Sequence, residues 1–379
     1  MRYSRRKSFA LNCSFLKVNI FEMRKTPKTQ VLLLLILLNG NLFGLSVGDE
    51  YNESDYEYEI GGPDPIGYAP TIRTTANPIF AKPCRSMINE FCVKLNQCAT
   101  GIRTPKLKID LNKPRGECHY LETCCERSKI IESSPPLDVD LTHDQCGITN
   151  EDGLYMTVQS KNQETSFAQY PWVVAILDSK SKHICNGVLI SHTVVLSAAN
   201  CLTLNGNLTV SGGDWDLLST NEIVPHENRL VKDIIIHKKY VSTTLKNNLV
   251  LLILESAFSR TRHIVPICMF HDLGSSKLNT TRCFATGWKI NKYSMSDPKE
   301  NIVLKLDIPT KTAAINGRDA MIKSRVIPYP YRNLKGAPLV CPTERNQYFL
   351  LGIWSYQENG NYVVFEKIVR NLKWIKDYS

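Results

Sequence analysis

The sequence has no apolar run long enough to cross a bilayer. Its longest, at 31–38, has eight residues, whereas a transmembrane helix needs about 20. Basic residues precede this run and small residues follow it, which is typical of a secretory signal peptide. We therefore expect a leader at 1–48 with translation starting at Met23, a secreted extracellular product and no transmembrane anchor.

A strong excess of one charge is also missing outside this leader. The formal net charge is +10, but residues 1–48 hold eight Lys and Arg and one Glu, which leaves the rest near +3. So small a balance gives no reason to expect nucleic-acid binding. With 43% hydrophobic and 22% charged residues, the chain has a globular composition, and nothing in it points to a cofactor.

Apolar periodicity is missing from residues 49–80 as well. The stretch begins with acidic residues and tyrosines, and glycines and prolines follow. We expect an exposed, flexible arm here. Its tyrosines among acidic residues leave open a second role, as sites of sulfation or of docking on a basic partner.

Cysteine, by contrast, is abundant. One of the thirteen, Cys13, lies in the leader, and the remaining even number suits six disulfides in a secreted protein. Six of these twelve cysteines lie within 42 residues. So short a segment cannot bury a useful hydrophobic core, so disulfide cross-links must supply its stability. Zinc is the alternative, but this block has no closely spaced ligand couples, so we expect no metal.

The cysteine block resembles a clip domain, the small module that precedes arthropod serine proteases and their homologues. We place it at 81–127, with a linker at 128–145. Sequence alone allows fifteen pairings of six cysteines. The resemblance implies the disulfides Cys84–Cys124, Cys92–Cys118 and Cys98–Cys125.

The chain from residue 146 to residue 379 reads as an all-β domain. Short β-type runs at 172–177, 188–196, 230–237 and 249–254 are bounded by turn residues, which is typical of barrels. Only the end differs. There Ile368, Leu372 and Ile375 recur with helical spacing and predict an amphipathic C-terminal helix within 365–378.

This domain resembles the chymotrypsin/trypsin family of serine proteases, because several family landmarks occur in the family's order. They are Tyr170-Pro171-Trp172, Leu196-Ser197-Ala198-Ala199-Asn200-Cys201, Asn248-Leu249-Val250-Leu251-Leu252, Thr286-Gly287-Trp288 and Gly336-Ala337-Pro338-Leu339-Val340-Cys341. The resemblance implies a trypsin-like double β-barrel with a C-terminal helix. It also implies the disulfides Cys146–Cys268, Cys185–Cys201 and Cys283–Cys341.

All three positions that match the family's catalytic triad carry other residues. Catalysis needs a serine whose proton passes to a histidine oriented by a buried aspartate. Asn200 stands at the histidine position, Asn248 at the aspartate position and Lys335 at the serine position. The resemblance therefore implies a protein without general base, orienting anion or hydroxyl nucleophile.

Other parts of the machinery are also substituted. Asn333 replaces the glycine of the oxyanion hole, and Leu334 replaces the aspartate that receives the new N-terminus after activation. Residues 153–157 contain no basic residue followed by Ile-Val-Gly-Gly. Ser355 and Tyr356 do match the strand that lines a bound peptide, which predicts a vestigial groove.

Two further patterns refine this picture. The run from Gly213 through Trp215 to His226 resembles that of insect clip-domain serine protease homologues, which are typically non-catalytic. Sequons predict glycosylation at Asn207, Asn279 and Asn52.

The resemblance implies a secreted, inactive serine protease homologue that acts by binding. Its expected role is that of a cofactor or regulator of extracellular protease cascades in innate immunity. Expected partners are extracellular proteins such as clip-domain proteases or their substrates. Two alternatives stay open: an active trypsin-like endopeptidase that uses unrecognised residues such as His192 or Lys335, and an adhesive or pattern-binding protein held on a matrix or microbial surface.

Overall fold

The computed structural model describes the greater part of the chain beyond residue 81. The described residues are 82–84, 89–94, 97–99, 107–111, 117–131, 145–161, 163–202, 206–274, 276–290, 301–308, 310, 320–325, 333–358 and 362–378. The leader, the arm with Asn52, and most of the linker lie outside them. None of the helices in these ranges is long and apolar enough to cross a membrane.

The clip segment, residues 81–127, carries the first three strands. Strands β1 (Glu90–Lys94), β2 (Leu107–Asp110) and β3 (Glu122–Glu126) are followed by β4 (Met156–Gln159), which precedes the barrel. β1 pairs with β3 antiparallel, while β2 pairs with β4 in parallel. The segment contains the disulfides Cys84–Cys124, Cys92–Cys118 and Cys98–Cys125, which are the pairs that the resemblance implies.

The clip segment shares a core with the domain that follows. Leu121 is fully buried, and it joins Ile109 and Leu111 in the largest hydrophobic cluster, which also holds Trp172 and Trp215. Thr74–Ser379 accordingly forms one compact unit. Burial of apolar surface against the barrel supplies what a segment this small cannot bury by itself.

Six antiparallel strands close the first barrel in the order β10-β7-β6-β5-β8-β9. They are β5 (Val173–Leu177), β6 (His183–Ser191), β7 (Val194–Ser197), β8 (Thr209–Gly212), β9 (Glu227–Ile236) and β10 (Val250–Leu254). The prediction of one continuous run at 188–196 is wrong. The chain turns back at His192 and Thr193, so that Val188 pairs with Leu196 across the β6–β7 hairpin.

A second antiparallel sheet has the order β12-β11-β14-β15-β16-β13. Its strands are β11 (Phe284–Gly287), β12 (Leu304–Asp307), β13 (Met321–Arg325), β14 (Pro338–Pro342), β15 (Tyr348–Glu358) and β16 (Tyr362–Lys367). Trp354 and Phe365 meet edge to face in its core with ring centroids 5.5 Å apart. The trypsin-like all-β fold expected from the sequence is therefore confirmed.

The chain ends in a single 3-10 turn, Ile368–Arg370, and a short helix α1, Leu372–Lys376. The expected helix is present, but its predicted start is wrong. Phe365 belongs to β16, where pairing with β13 and β15 buries its ring. Ile375 of the helix is buried. The Trp374 ring meets the ring of His237, in the loop after β9, edge to face with centroids 4.7 Å apart.

Three more disulfides hold the barrel domain: Cys146–Cys268, Cys185–Cys201 and Cys283–Cys341. The two sheets are joined at Asn186 of β6. Its backbone N–H donates to the Lys335 carbonyl at 3.0 Å, and its Nδ2 donates to the Trp288 carbonyl at 3.0 Å. This junction brings the loops after β7 and before β14 to the same region.

Candidate functional site

Asn200 lies in the 3-10 turn Ala199–Cys201 that follows β7. The disulfide from Cys201 to Cys185 fastens this turn to β6. The Asn200 backbone N–H donates to Asn248 Oδ1 at 2.8 Å, and its Nδ2 donates to the Ser355 carbonyl at 3.3 Å. The backbone N–H and the Nδ2 of Asn200 therefore both hold the turn in place.

Asn248 is fully buried two residues before β10. Its Nδ2 donates to Ser355 Oγ at 2.7 Å, while its Oδ1 accepts from Asn200. The structure thus brings Asn200, Asn248 and Ser355 into one hydrogen-bonded group. An amide neither takes up a proton near neutral pH nor carries charge, so this group positions side chains and moves no proton.

Glu366 adds a carboxyl group behind Asn248, which the sequence reasoning missed. It is fully buried in β16, and its Oε2 accepts from the Asn248 backbone N–H at 3.4 Å. Its Oε1 has no hydrogen-bond partner among the described residues. Burial raises the pKa of Glu366 to about 7. The available signal was a glutamate that directly follows the apolar run Val363-Val364-Phe365.

Lys335 lies in a tight turn before β14. The turn is closed by the Ala337 N–H, which donates to the Leu334 carbonyl at 2.9 Å. Gly336 has φ of +80°, and a Cβ there would lie 2.1 Å from the Asn186 carbonyl oxygen. Only glycine at position 336 therefore allows the backbone at Lys335 to lie this close to Asn186. Asn186 is next to Cys185, whose disulfide with Cys201 holds the turn of Asn200.

The amide that would stabilise an oxyanion already has a partner. The Lys335 backbone N–H donates to Asn333 Oδ1 at 3.1 Å. An oxyanion hole works only if its donors point at the developing charge in advance. Leu334, between Asn333 and Lys335, is fully buried in the hydrophobic cluster of the second sheet. An aspartate carboxylate at this position would need a charged partner.

The segment at 153–157 also has a different structural use. Part of it forms β4, which pairs with β2 of the clip segment. Leu154 and Met156 are buried, and the Leu154 N–H donates to the Phe167 carbonyl at 2.9 Å. The stretch therefore helps to attach the clip segment to the barrel.

Ser355 and Tyr356 lie on β15, where the register with β16 shifts between Trp354 and Tyr356. Such a bulge re-aims side chains. Ser355 is buried and faces Asn248, whereas Tyr356 is half-buried. The groove assigned to these two residues stays a prediction.

The glycosylation sites also stay predictions. Asn207 is exposed just before β8. Asn279 is half-buried, and its Oδ1 accepts from the Thr281 N–H at 3.2 Å and from the Thr281 hydroxyl at 2.7 Å. A glycan attached to the Asn279 side chain would have to leave room for these two hydrogen bonds to Thr281.

Comparison with known proteins agrees with this architecture. The Trypsin family model matches residues 159–375, more than half of the chain. The chain belongs to the trypsin family. Its matched region covers both sheets and every position discussed above from Asn200 to Glu366.

Two similar proteins are named as inactive. "Inactive CLIP domain-containing serine protease A8" of Anopheles gambiae is 26% identical over 294 residues, 68% of this chain and 77% of that protein. "Inactive CLIP domain-containing serine protease A28" of the same organism is 26% identical over 310 residues, again 68% and 77%. "Phenoloxidase-activating factor 2" of Galleria mellonella is 29% identical over 252 residues, 58% of this chain and 82% of that protein.

Trypsin-family relatives with clip domains thus include proteins without catalytic activity by name. The likeness to them covers about two thirds of this chain, at modest identity. This trypsin-family chain is therefore similar to clip-domain serine proteases, two of which are named as inactive.

Proposed function

We propose that the protein is a secreted, catalytically inactive member of the trypsin family that acts by binding. The observation that carries this proposal is the hydrogen-bonded group of Asn200, Asn248 and Ser355. Amides and a hydroxyl stand at the positions of the proton relay, and their donors are engaged by Asn248 Oδ1, the Ser355 hydroxyl and the Ser355 carbonyl.

The turn at 333–336 supports the same proposal independently. An acyl-transfer site needs a nucleophile beside a base, and free N–H donors for the oxyanion. Here the side chain at the nucleophile position is a lysine, and its backbone N–H is engaged by Asn333. Loss of the serine or of the histidine alone lowers turnover by about a million-fold in such enzymes.

We propose that the former cleft serves as the binding surface, with a protein of an extracellular protease cascade in innate immunity as its partner. Lys335 supplies a positive charge where the family has a hydroxyl, and Tyr356 supplies a half-buried aromatic ring on β15. Tyrosine is a common anchor of protein interfaces, and a positive charge favours a partner with a complementary negative surface. The name of the Galleria relative, a phenoloxidase-activating factor, supports a cascade role.

The test is reconstitution in body fluid of the source animal, depleted of this protein by antibody. A microbial elicitor is added, and cleavage of protease zymogens is followed with and without purified protein. We expect the added protein to change the rate of cleavage, and Lys335→Glu to abolish that change. Lys180→Glu, an exposed site in the β5–β6 hairpin, is the matched control.

Retention on microbial glycans with no effect on zymogen cleavage would contradict the cascade role and favour an adhesive one. An equal effect of both lysine variants would contradict the assignment of the cleft. Zymogen cleavage and glycan retention are measured on the same protein preparation, so a folding defect would alter both measurements.

A further inference from the structure

Two segments of the barrel domain carry six exposed cations, which we call the basic surface. One segment is the loop between β9 and β10, residues 237–247, and the other is residues 370–376, which include α1. Neither segment contains an acidic residue. Positive charge is concentrated here, whereas residues 49–379 as a whole have a formal net charge near +3. The six exposed side chains are Lys238, Lys239, Lys246, Arg370, Lys373 and Lys376.

An aromatic contact brings the two segments together. The ring of His237, at the start of the loop, meets the ring of Trp374 in α1 edge to face, with centroids 4.7 Å apart. Lys238 and Lys239 directly follow His237, and Lys373 directly precedes Trp374. Cations from both segments therefore flank the same contact, so one extended ligand can reach both.

Hydrogen bonds fix the backbone that carries the loop lysines. The Val241 N–H donates to the Lys246 carbonyl at 3.0 Å. The Asn247 Nδ2 donates to the Lys239 carbonyl at 2.8 Å. Because this backbone is held in place before a ligand arrives, binding would have to order only the side chains.

The charges of the basic surface are not neutralised by neighbouring carboxylates. Within the described ranges, none of the six cations forms an ion pair. Asp377 is the one acidic residue in 368–379, and it is exposed. Burial and the charge of the nearby Lys239 lower the pKa of His237, and a positive local potential acts in that direction. A bound polyanion would relieve the repulsion among these cations.

The make-up of the basic surface favours a hydrated polyanion over a folded protein or a membrane. The core of a protein interface is depleted of charged residues, whereas the exposed loop residues at 242–244 are small, polar and flanked by lysines. Helix α1 has only five residues and buries Ile375, so it offers no apolar face to lipid. Sulfated polysaccharides carry closely spaced sulfate esters that stay ionised, and lysines bind such groups as point charges.

We propose that the basic surface binds a sulfated polysaccharide, with cations from both segments contacting the same chain. The surface includes none of Asn200, Asn248 and Lys335. Failure of this proposal would therefore leave the proposed function untouched.

Binding is tested by biolayer interferometry of the full-length protein on immobilised heparin at several concentrations of NaCl. We expect the logarithm of the affinity to fall linearly with the logarithm of the salt concentration, because binding releases counterions. The double variants Lys238→Glu/Lys239→Glu and Lys373→Glu/Lys376→Glu should each weaken binding by about tenfold. Unchanged binding in either double variant would overturn the proposal that both segments contact the ligand.

The matched control is Lys180→Glu/Lys182→Glu. It replaces two exposed lysines of the β5–β6 hairpin and changes the net charge by the same amount. We expect this control to bind heparin as the wild type does. Equal weakening in all three double variants would overturn the assignment of the surface, because net charge alone would then govern binding.

The class of ligand is tested with two further probes. Hyaluronan carries carboxylates and no sulfate, and vesicles that contain phosphatidylserine present an anionic lipid surface. We expect both to bind more weakly than heparin at equal salt, and binding of either as tight as that of heparin would overturn the choice of a sulfated polysaccharide. Circular dichroism verifies that each variant is folded, and glutamine replaces glutamate in any variant that is not.

Discussion

Glu366 is a buried carboxyl group next to the position of the family's catalytic aspartate. Its carboxyl group is fully buried and touches the backbone of Asn248, where the family has a charged aspartate. Two carboxylates in one dry site would repel each other, whereas an amide and a carboxyl group are compatible. The neutral Asn248 and the buried Glu366 are therefore physically consistent with each other.

Glu366 also predicts how stability depends on pH. Burial raises its folded-state pKa to about 7, from the model-compound value of 4.5. The folded state then binds the proton more tightly than the unfolded state, so the stability is fully present below about pH 4.5 and is lost as pH rises through 7. This shift corresponds to about 3 kcal/mol.

The check is urea unfolding of the wild type and of Glu366→Gln at pH 5 and pH 8. We expect the wild type to lose about 2.5 kcal/mol more than the variant over this interval, because part of the loss has already occurred at pH 5. The difference between the two proteins cancels contributions of other groups. A difference that stays constant with pH would contradict the assignment.

At the scale of elements, the attachment of the clip segment is the main structural result. β4 would be an activation segment in an enzyme of this family, but here it pairs with β2. Leu121 extends the core of the barrel domain into the clip segment. The two parts should therefore unfold together.

This predicts that Leu121→Ala destabilises the barrel domain as well as the clip segment. Loss of a fully buried leucine costs about 2–5 kcal/mol. Urea unfolding followed by tryptophan fluorescence reports on the barrel domain, because all five tryptophans of the chain lie in it. Leu218→Ala is the control, because Leu218 is 64% exposed. An unchanged barrel transition would show that the two parts are independent.

Elements also show what the sequence does and does not predict. Landmarks with a fixed order predicted the barrel fold, because each marks a strand or turn of known place. Local periodicity failed at 188–196 and at Phe365, where a hairpin and a sheet pairing decide the structure. Both errors come from contacts that depend on residues distant along the chain.

At the scale of the whole molecule, the site residues divide in the same way. Asn200, Asn248 and Lys335 were found from motifs, because each lies within a recognisable run. Glu366 was not, because its significance comes from burial and from what packs around it. Composition and spacing carry no information on its burial.

The protein has a trypsin-family scaffold, and we propose that the region of its former active site no longer transfers protons. Its hydrogen bonds fix Asn200, Asn248 and Asn333 to neighbours rather than to a substrate. The most direct test is reaction of the purified full-length protein with a fluorophosphonate probe, beside active trypsin, before and after limited proteolysis. We predict no labelling and no turnover of peptide substrates in either state. Labelling at a stoichiometry near that of trypsin, with hydrolysis to match, would contradict the account.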